Sequence, residues 1–271
     1  MKNYKSILSD LYEEQREIDQ LLQPTSFWAG ACLDLTKPIL NNLLHSFRRD
    51  ETCLNFFVPT YGYPGIGLSR SQLAAINALA QDSSAKQKRL LESFTSGYNH
   101  FYSDFKVLES ISSILDIKTF QSFREASVGE PVEQFSIRGY TGSRATTNYI
   151  LGLLFLLLSE PRAKFETVLE IGGGFGSLGE VLFKGGLDIG RYINFDIVPT
   201  CIYADYYLTQ VFGETAVGGL EKPWRNEVHI NDLTNISVRP NWDITKLRGD
   251  IDLFVNFHSF QEMEPAVVKF Y

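Results

Sequence analysis

The residues able to do chemistry crowd into the second half of the chain. Thr167-Val168-Leu169-Glu170-Ile171 is an apolar run carrying one carboxylate, and Gly172, Gly174 and Gly176 follow it at alternate positions. The next segment, Ser177-Leu178-Gly179-Glu180-Val181-Leu182-Phe183, has helical spacing. Strand, glycine turn and helix in that order open a nucleotide-cofactor half-fold. Glycine is needed because the turn is tight and a Cβ would collide with a ligand approaching the backbone. A second run, Arg191-Tyr192-Ile193-Asn194-Phe195-Asp196, ends in a carboxylate that can accept both hydroxyls of a ribose. A third, residues 251–257, leads into His258, Gln261 and Glu262, side chains that orient a hydroxyl or take its proton.

Two cofactors compete for the turn, because Gly174-Phe175-Gly176-Ser177-Leu178-Gly179 also satisfies the dinucleotide fingerprint. Glu170 separates them. A dinucleotide lays its pyrophosphate on the helix N-terminus, and a carboxylate beside it repels that charge. S-adenosylmethionine has no phosphate and brings an ammonium and a sulfonium, which a strand-end carboxylate attracts. The cofactor-binding candidates are therefore Glu170, Gly172, Gly174, Gly176, Asp196 and its neighbour Ile197, with Asn256 at the end of the third run. Asn231-Asp232 follow a weak strand at residues 227–230, where Asp232 is either an adenine contact or turn chemistry.

For the reacting centre, His258 is the candidate to take a hydroxyl proton, and Glu262 either acts in its place or orients the imidazole. The alternative is a satisfied loop histidine beside a structural Glu262. Asp250, Asp252, His258 and Glu262 match no defined metal spacing, and no metal is assigned.

The pattern Glu170-x-Gly172-x-Gly174-x-Gly176 resembles the first motif of class I S-adenosylmethionine-dependent methyltransferases. With Phe195-Asp196-Ile197-Val198-Pro199 and Ser259-Phe260-Gln261-Glu262-Met263-Glu264-Pro265, the last 145 or so residues resemble the sugar O-methyltransferases of bacterial surface-polysaccharide loci. The resemblance implies an α/β fold, a Rossmann-like class I sheet with strand order 3-2-1-4-5-7-6. It also implies S-adenosylmethionine as donor and a sugar hydroxyl as acceptor, and it stresses Gln261 and Glu262 over His258. A non-catalytic cofactor-fold fragment and a dinucleotide-dependent oxidoreductase are the competing readings.

The elements that must position these residues read as follows. Helices are expected at residues 4–22, at 35–49 with Pro38 in the first turn, and from a cap at Ser69 or Ser71 to about Ala80. Another is expected over residues 84–100. Residues 55–67 hold three glycines and two prolines among aromatics, an ordered turn. Tyr98, Phe101, Tyr102 and Phe105 read as the aromatic core of a helical layer rather than a sugar-stacking surface. Residues 128–143 read as a loop that either covers the site or connects two layers, and Ser143 caps a helix packed beneath the first strand. Pro199 opens a helix to about Phe212. Four strands are found, near Val168, Ile193, Val228 and Leu253. A class I sheet has seven, so a chain truncated after the fourth strand is expected, with residues 251–257 a central-type strand left at the edge. Residues 1–140 are thus a mostly helical substrate region and 141–271 the cofactor domain.

The 271 residues carry a net charge of −7 and no lysine- or arginine-rich run, which argues against a nucleic-acid binder or an anionic membrane surface as partner. Residues 149–158 are too short to span a bilayer, so no membrane insertion is expected. Cys32, Cys53 and Cys201 are sparse and odd in number, and residues 1–22 are charged and amphipathic; both point to the cytoplasm. The partner implied is a small-molecule or glycan acceptor.

Overall fold

The computed structural model describes residues 2–57, 70–161 and 164–271. Two compact units emerge, Met1–Phe47 with Lys164–Tyr271, and Arg48–Ala163. These boundaries differ from the division expected at residue 140: the first 47 residues pack with the half that carries the sheet. Tyr203 donates to the Leu35 carbonyl at 2.6 Å, and Asn241 Nδ2 to the Leu22 carbonyl at 2.8 Å. Lys2 and Tyr4 both bond Asp205. Helix α1 (Tyr4–Gln15) buries Ile7, Leu8 and Leu11 and stops short of the expected end. Helix α2 (Ser26–Leu40) begins well before Leu35, so Pro38 falls in its last turn instead of its first.

In the second unit, α3 (Glu51–Phe57) and α4 (Arg70–Leu79) precede α5 (Ala85–Thr95), which starts with a capping box between Ser84 and Gln87. The helix expected to run through His100 breaks at Gly97 (φ 80°) and restarts as α6 (Tyr98–Leu115). Residues 58–69, which hold most of the expected turn and the cap at Ser69, lie outside the described residues. After α7 (Lys118–Gln121), strands β1 (Phe135–Ile137) and β2 (Tyr140–Gly142) form a hairpin where a loop was expected. Its turn residues Arg138 and Gly139 both have positive φ, as a two-residue hairpin turn requires. Phe101, Phe105, Phe120, Phe123 and Tyr140 form the core, while Tyr102 is 40% exposed. Helix α8 (Arg144–Ser159) is capped by Ser143 as expected, but its packing partner is α6, pinned by Arg144 to Asp104 at 2.9 Å.

The first unit holds the sheet. Strand β3 (Thr167–Ile171), helix α9 (Ser177–Lys184), strand β4 (Arg191–Asp196) and helix α10 (Thr200–Phe212) follow in chain order. Then come β5 (Val217–Gly218), β6 (Val228–His229), β7 (Ile236–Pro240), β8 (Leu247–Arg248), β9 (Leu253–Val255) and helix α11 (Pro265–Phe270). The sheet order is β5-β7-β4-β3-β9, with every neighbouring pair parallel. This is an α/β architecture with a five-stranded parallel sheet, compatible with a Rossmann-like fold.

Two strand expectations are corrected. The stretch near Val228 pairs with β8 outside the main sheet, and the strand beside β4 is β7. Ser237, Arg239 and Pro240 disguise β7 in the sequence. Arg239 is buried there because Asp243, the carbonyls of Gly219 and Lys222, and the Trp224 ring receive its guanidinium. The run at residues 251–257 is a strand only over three residues and sits at the sheet edge, with Phe254 46% exposed. An exposed parallel edge leaves one row of backbone groups and one apolar face uncovered.

Candidate functional site

The site is built at the carboxyl end of the sheet, where β3 breaks into glycines. Gly172, Gly174 and Gly176 have φ of 71°, 60° and 87°, the left-handed region that other residues enter only with strain. Their amide groups point inward. Gly172 N–H donates to the Phe195 carbonyl at 2.8 Å, Gly176 N–H to the Gly173 carbonyl at 3.0 Å, and Gly174 N–H to Asp196 Oδ2 at 2.9 Å. Gly179, the last glycine of the dinucleotide fingerprint, serves helix–strand packing: a Cβ there would stand 2.6 Å from the Tyr192 ring.

Glu170 is buried beneath this turn. Its carboxylate accepts from the Tyr192 hydroxyl and lies against Gly173, where a Cβ would run into it and would stand 2.9 Å from Asn194 Oδ1. Alternation places Glu170, Tyr192, Asn194 and Asp196 on one sheet face, while Leu169, Ile171, Ile193 and Phe195 pack with Ile230 on the other.

Asp196 ends β4 with only 8% of its surface exposed. Its Oδ1 accepts from Ile197 N–H at 2.7 Å, so the contribution of Ile197 seen here is a backbone one. Burial pushes the Asp196 carboxyl up to about 7, against the opposing pull of the Ile197 and Gly174 amides. Cys32 of α2 and Tyr271 feel its charge. Burial, then Asp196, push the Cys32 thiol up to about 12, and burial with Asp196 raises the Tyr271 hydroxyl against its bond to Asn241.

Asn256 stitches β9 to the turn. Its Nδ2 donates to the Ile171 carbonyl at 2.8 Å and to Ser259, and its Oδ1 accepts from Phe260 N–H at 3.0 Å. The Ser259 side chain occupies the space that a Cβ on Gly172 would need. His258, Gln261 and Glu262 lie exposed on the short turn that follows, with Gln261 Nε2 3.1 Å from His258 Nδ1. The tautomer decides what this pair can do. With the amide nitrogen facing Nδ1, the neutral ring carries its proton on Nε2; with the amide oxygen there, Nε2 holds the basic lone pair.

Asp232 is not where an adenine contact was expected. It precedes β7 instead of following it, and lines a cleft of about 910 Å³ with Thr234, Ser237 and Trp224. The residues that follow the strand beside β4 are Asn241 and Trp242, both buried. Sequence reading missed these, and it missed Tyr192 and Asn194. Their signal was present, since two-residue spacing in Tyr192-x-Asn194-x-Asp196 puts all three on one face.

Glycine turn, buried strand-end carboxylates and parallel sheet together are compatible with a Rossmann-like α/β fold. No protein family, no curated protein and no solved structure matches the chain. Among the described residues no helix is long and apolar enough to cross a membrane, and no three His, Cys, Asp or Glu side chains gather as metal ligands.

Proposed function

We propose that the chain is an S-adenosylmethionine-dependent O-methyltransferase of class I type, with a sugar hydroxyl as acceptor. One observation carries the donor: the three motif-glycine amides are engaged by internal acceptors, and two carboxylates flank the turn. Such a turn sets carboxylates beside motif-glycine amides that already have acceptors, whereas a pyrophosphate needs free amide donors. The donor set fits an ammonium and sulfonium beside Glu170 and a ribose at Asp196. Asn241 and Trp242 take the chain position first assigned to Asp232, after the strand beside β4. The acceptor class rests on the resemblance through Ser259-Phe260-Gln261-Glu262-Met263.

When bound, the donor supplies an electrophilic methyl on a positively charged sulfur, so that a C–O bond forms as the C–S bond breaks to a neutral thioether. The chain must align the acceptor oxygen and remove its proton. His258 takes that proton on Nε2 when Gln261 turns its amide oxygen to Nδ1, and the exposed Glu262 lies on the same short turn.

Calorimetric titration tests the donor. S-adenosylmethionine should bind at one site per chain, Glu170→Gln should weaken it by at least about tenfold, and a nicotinamide dinucleotide should not bind. Binding of the dinucleotide instead would sink the reading. Labelled methyl donor with a panel of sugar nucleotides then identifies the acceptor.

A further inference from the structure

Two side chains of β4 converge on the carboxylate that attracts the donor. Tyr192 and Asn194 stand two residues apart, and Asn194 is in register with Glu170 across the β3–β4 pair. Tyr192 is fully buried and gives its hydroxyl hydrogen to Glu170 Oε2. It reaches that position only because Gly179 of α9 has no side chain to block the ring.

Asn194 is also fully buried, and among the described residues neither its amide nitrogen nor its amide oxygen has a hydrogen-bond partner. Folded proteins keep few such groups, so one that persists calls for a partner or a role. Its Oδ1 and Glu170 Oε2 both crowd the place where a Cβ on Gly173 would stand, Oδ1 at 2.9 Å from it. Two acceptors thus face one point. Half a turn of the amide about its last torsion puts an N–H in place of that oxygen, on the side where the carboxylate lies.

We infer that Tyr192 and Asn194 are positioning residues that hold the Glu170 carboxylate under Gly173, Tyr192 through its hydroxyl and Asn194 through its amide N–H. This rests on the methyl-donor reading. The competing role is plain core packing, in which the two side chains fill space beneath α9 and do not govern where the charge points.

S-adenosylmethionine and S-adenosylhomocysteine separate the two, because they differ by one methyl and the positive charge on sulfur. Affinities of both ligands are measured for the full chain and for Tyr192→Phe and Asn194→Leu. A positioning role predicts a loss of about tenfold for S-adenosylmethionine and a clearly smaller loss for S-adenosylhomocysteine, which keeps the ammonium and lacks the sulfonium charge. Equal losses for both, or none, overturn it. Thermal melts of the ligand-free protein add a readout that needs no cofactor. Tyr192→Phe should lower the melting temperature in the wild type and much less in a Glu170→Leu background, whereas additive shifts also overturn the inference. Should the wild type bind neither ligand, the methyl-donor reading fails, and the melts still decide whether β4 holds Glu170.

Discussion

Replacing Asp196 with asparagine should strengthen the ligand-free protein above neutral pH while weakening the ribose contact proposed for it. Burial lifts this carboxyl from its ordinary 3.8 to about 7. Between those two values the folded state holds a proton that the unfolded state has lost, so stability falls as pH rises through the window and levels off above 7. At about 1.36 kcal/mol per decade, the ionised group costs roughly 4 kcal/mol by pH 8. The neighbouring thiols of Cys32 and Cys201 and the Tyr271 hydroxyl are all raised by burial, so they stay neutral across this range and do not mask the effect. Asparagine carries no charge, but its NH₂ cannot accept, so one of the two amides of Gly174 and Ile197 loses its acceptor, at about 1–3 kcal/mol. The net expectation is a gain of about 1–3 kcal/mol at pH 8 and a loss of about 1–3 kcal/mol at pH 4, where almost no ionisation cost offsets the lost acceptor. Denaturant unfolding of both proteins at the two pH values measures this directly. Parallel pH profiles would show that Asp196 is not held in a desolvated site, and the argument for a buried ribose-binding carboxylate would go with them. In the same variant, affinity for S-adenosylmethionine should fall by about tenfold or more.

Three further outcomes follow from other parts of the molecule. Gly173→Ala drives a Cβ into the Glu170 carboxylate and the Asn194 amide, and should cost about 1–3 kcal/mol in unfolding experiments while weakening donor binding; a neutral substitution would mean that the turn has room to spare. Arg48→Leu strands Glu125 and Glu133, both buried against its guanidinium, and should destabilise the protein by about 3–5 kcal/mol at neutral pH. Burial already raises the Glu133 carboxyl, so the loss should shrink as the pH is lowered and that group takes up its proton, and an unchanged deficit at pH 5 would count against the assignment. Phe254→Lys puts a charge on the 46% exposed face of edge strand β9 and should reduce self-association in light scattering, with unfolding free energy changed by less than about 0.5 kcal/mol.

The amino-acid sequence alone determined the run of elements around the candidate site. Residues 167–212 announce strand, glycine turn, helix, strand and helix through signals that act over a few positions, and Glu170 and Asp196 stand out as carboxylates at strand ends. Those signals are local, so they survive without knowledge of what packs on them. Tertiary structure decided the rest. Ile236–Pro240 is a sheet strand because the carbonyls of Gly219 and Lys222 and the Trp224 ring join nearby Asp243 in receiving Arg239, and those three lie outside any short window around the strand. The first 47 residues join the half that carries the sheet because Tyr203 and Asn241 find the carbonyls of Leu35 and Leu22, well over a hundred positions away in the chain. Asn194 reads as an ordinary polar residue in a strand until the register of β3 with β4 sets it opposite Glu170. A polar group becomes acceptable in the interior only when its partners arrive, and those partners are brought together by the folded chain.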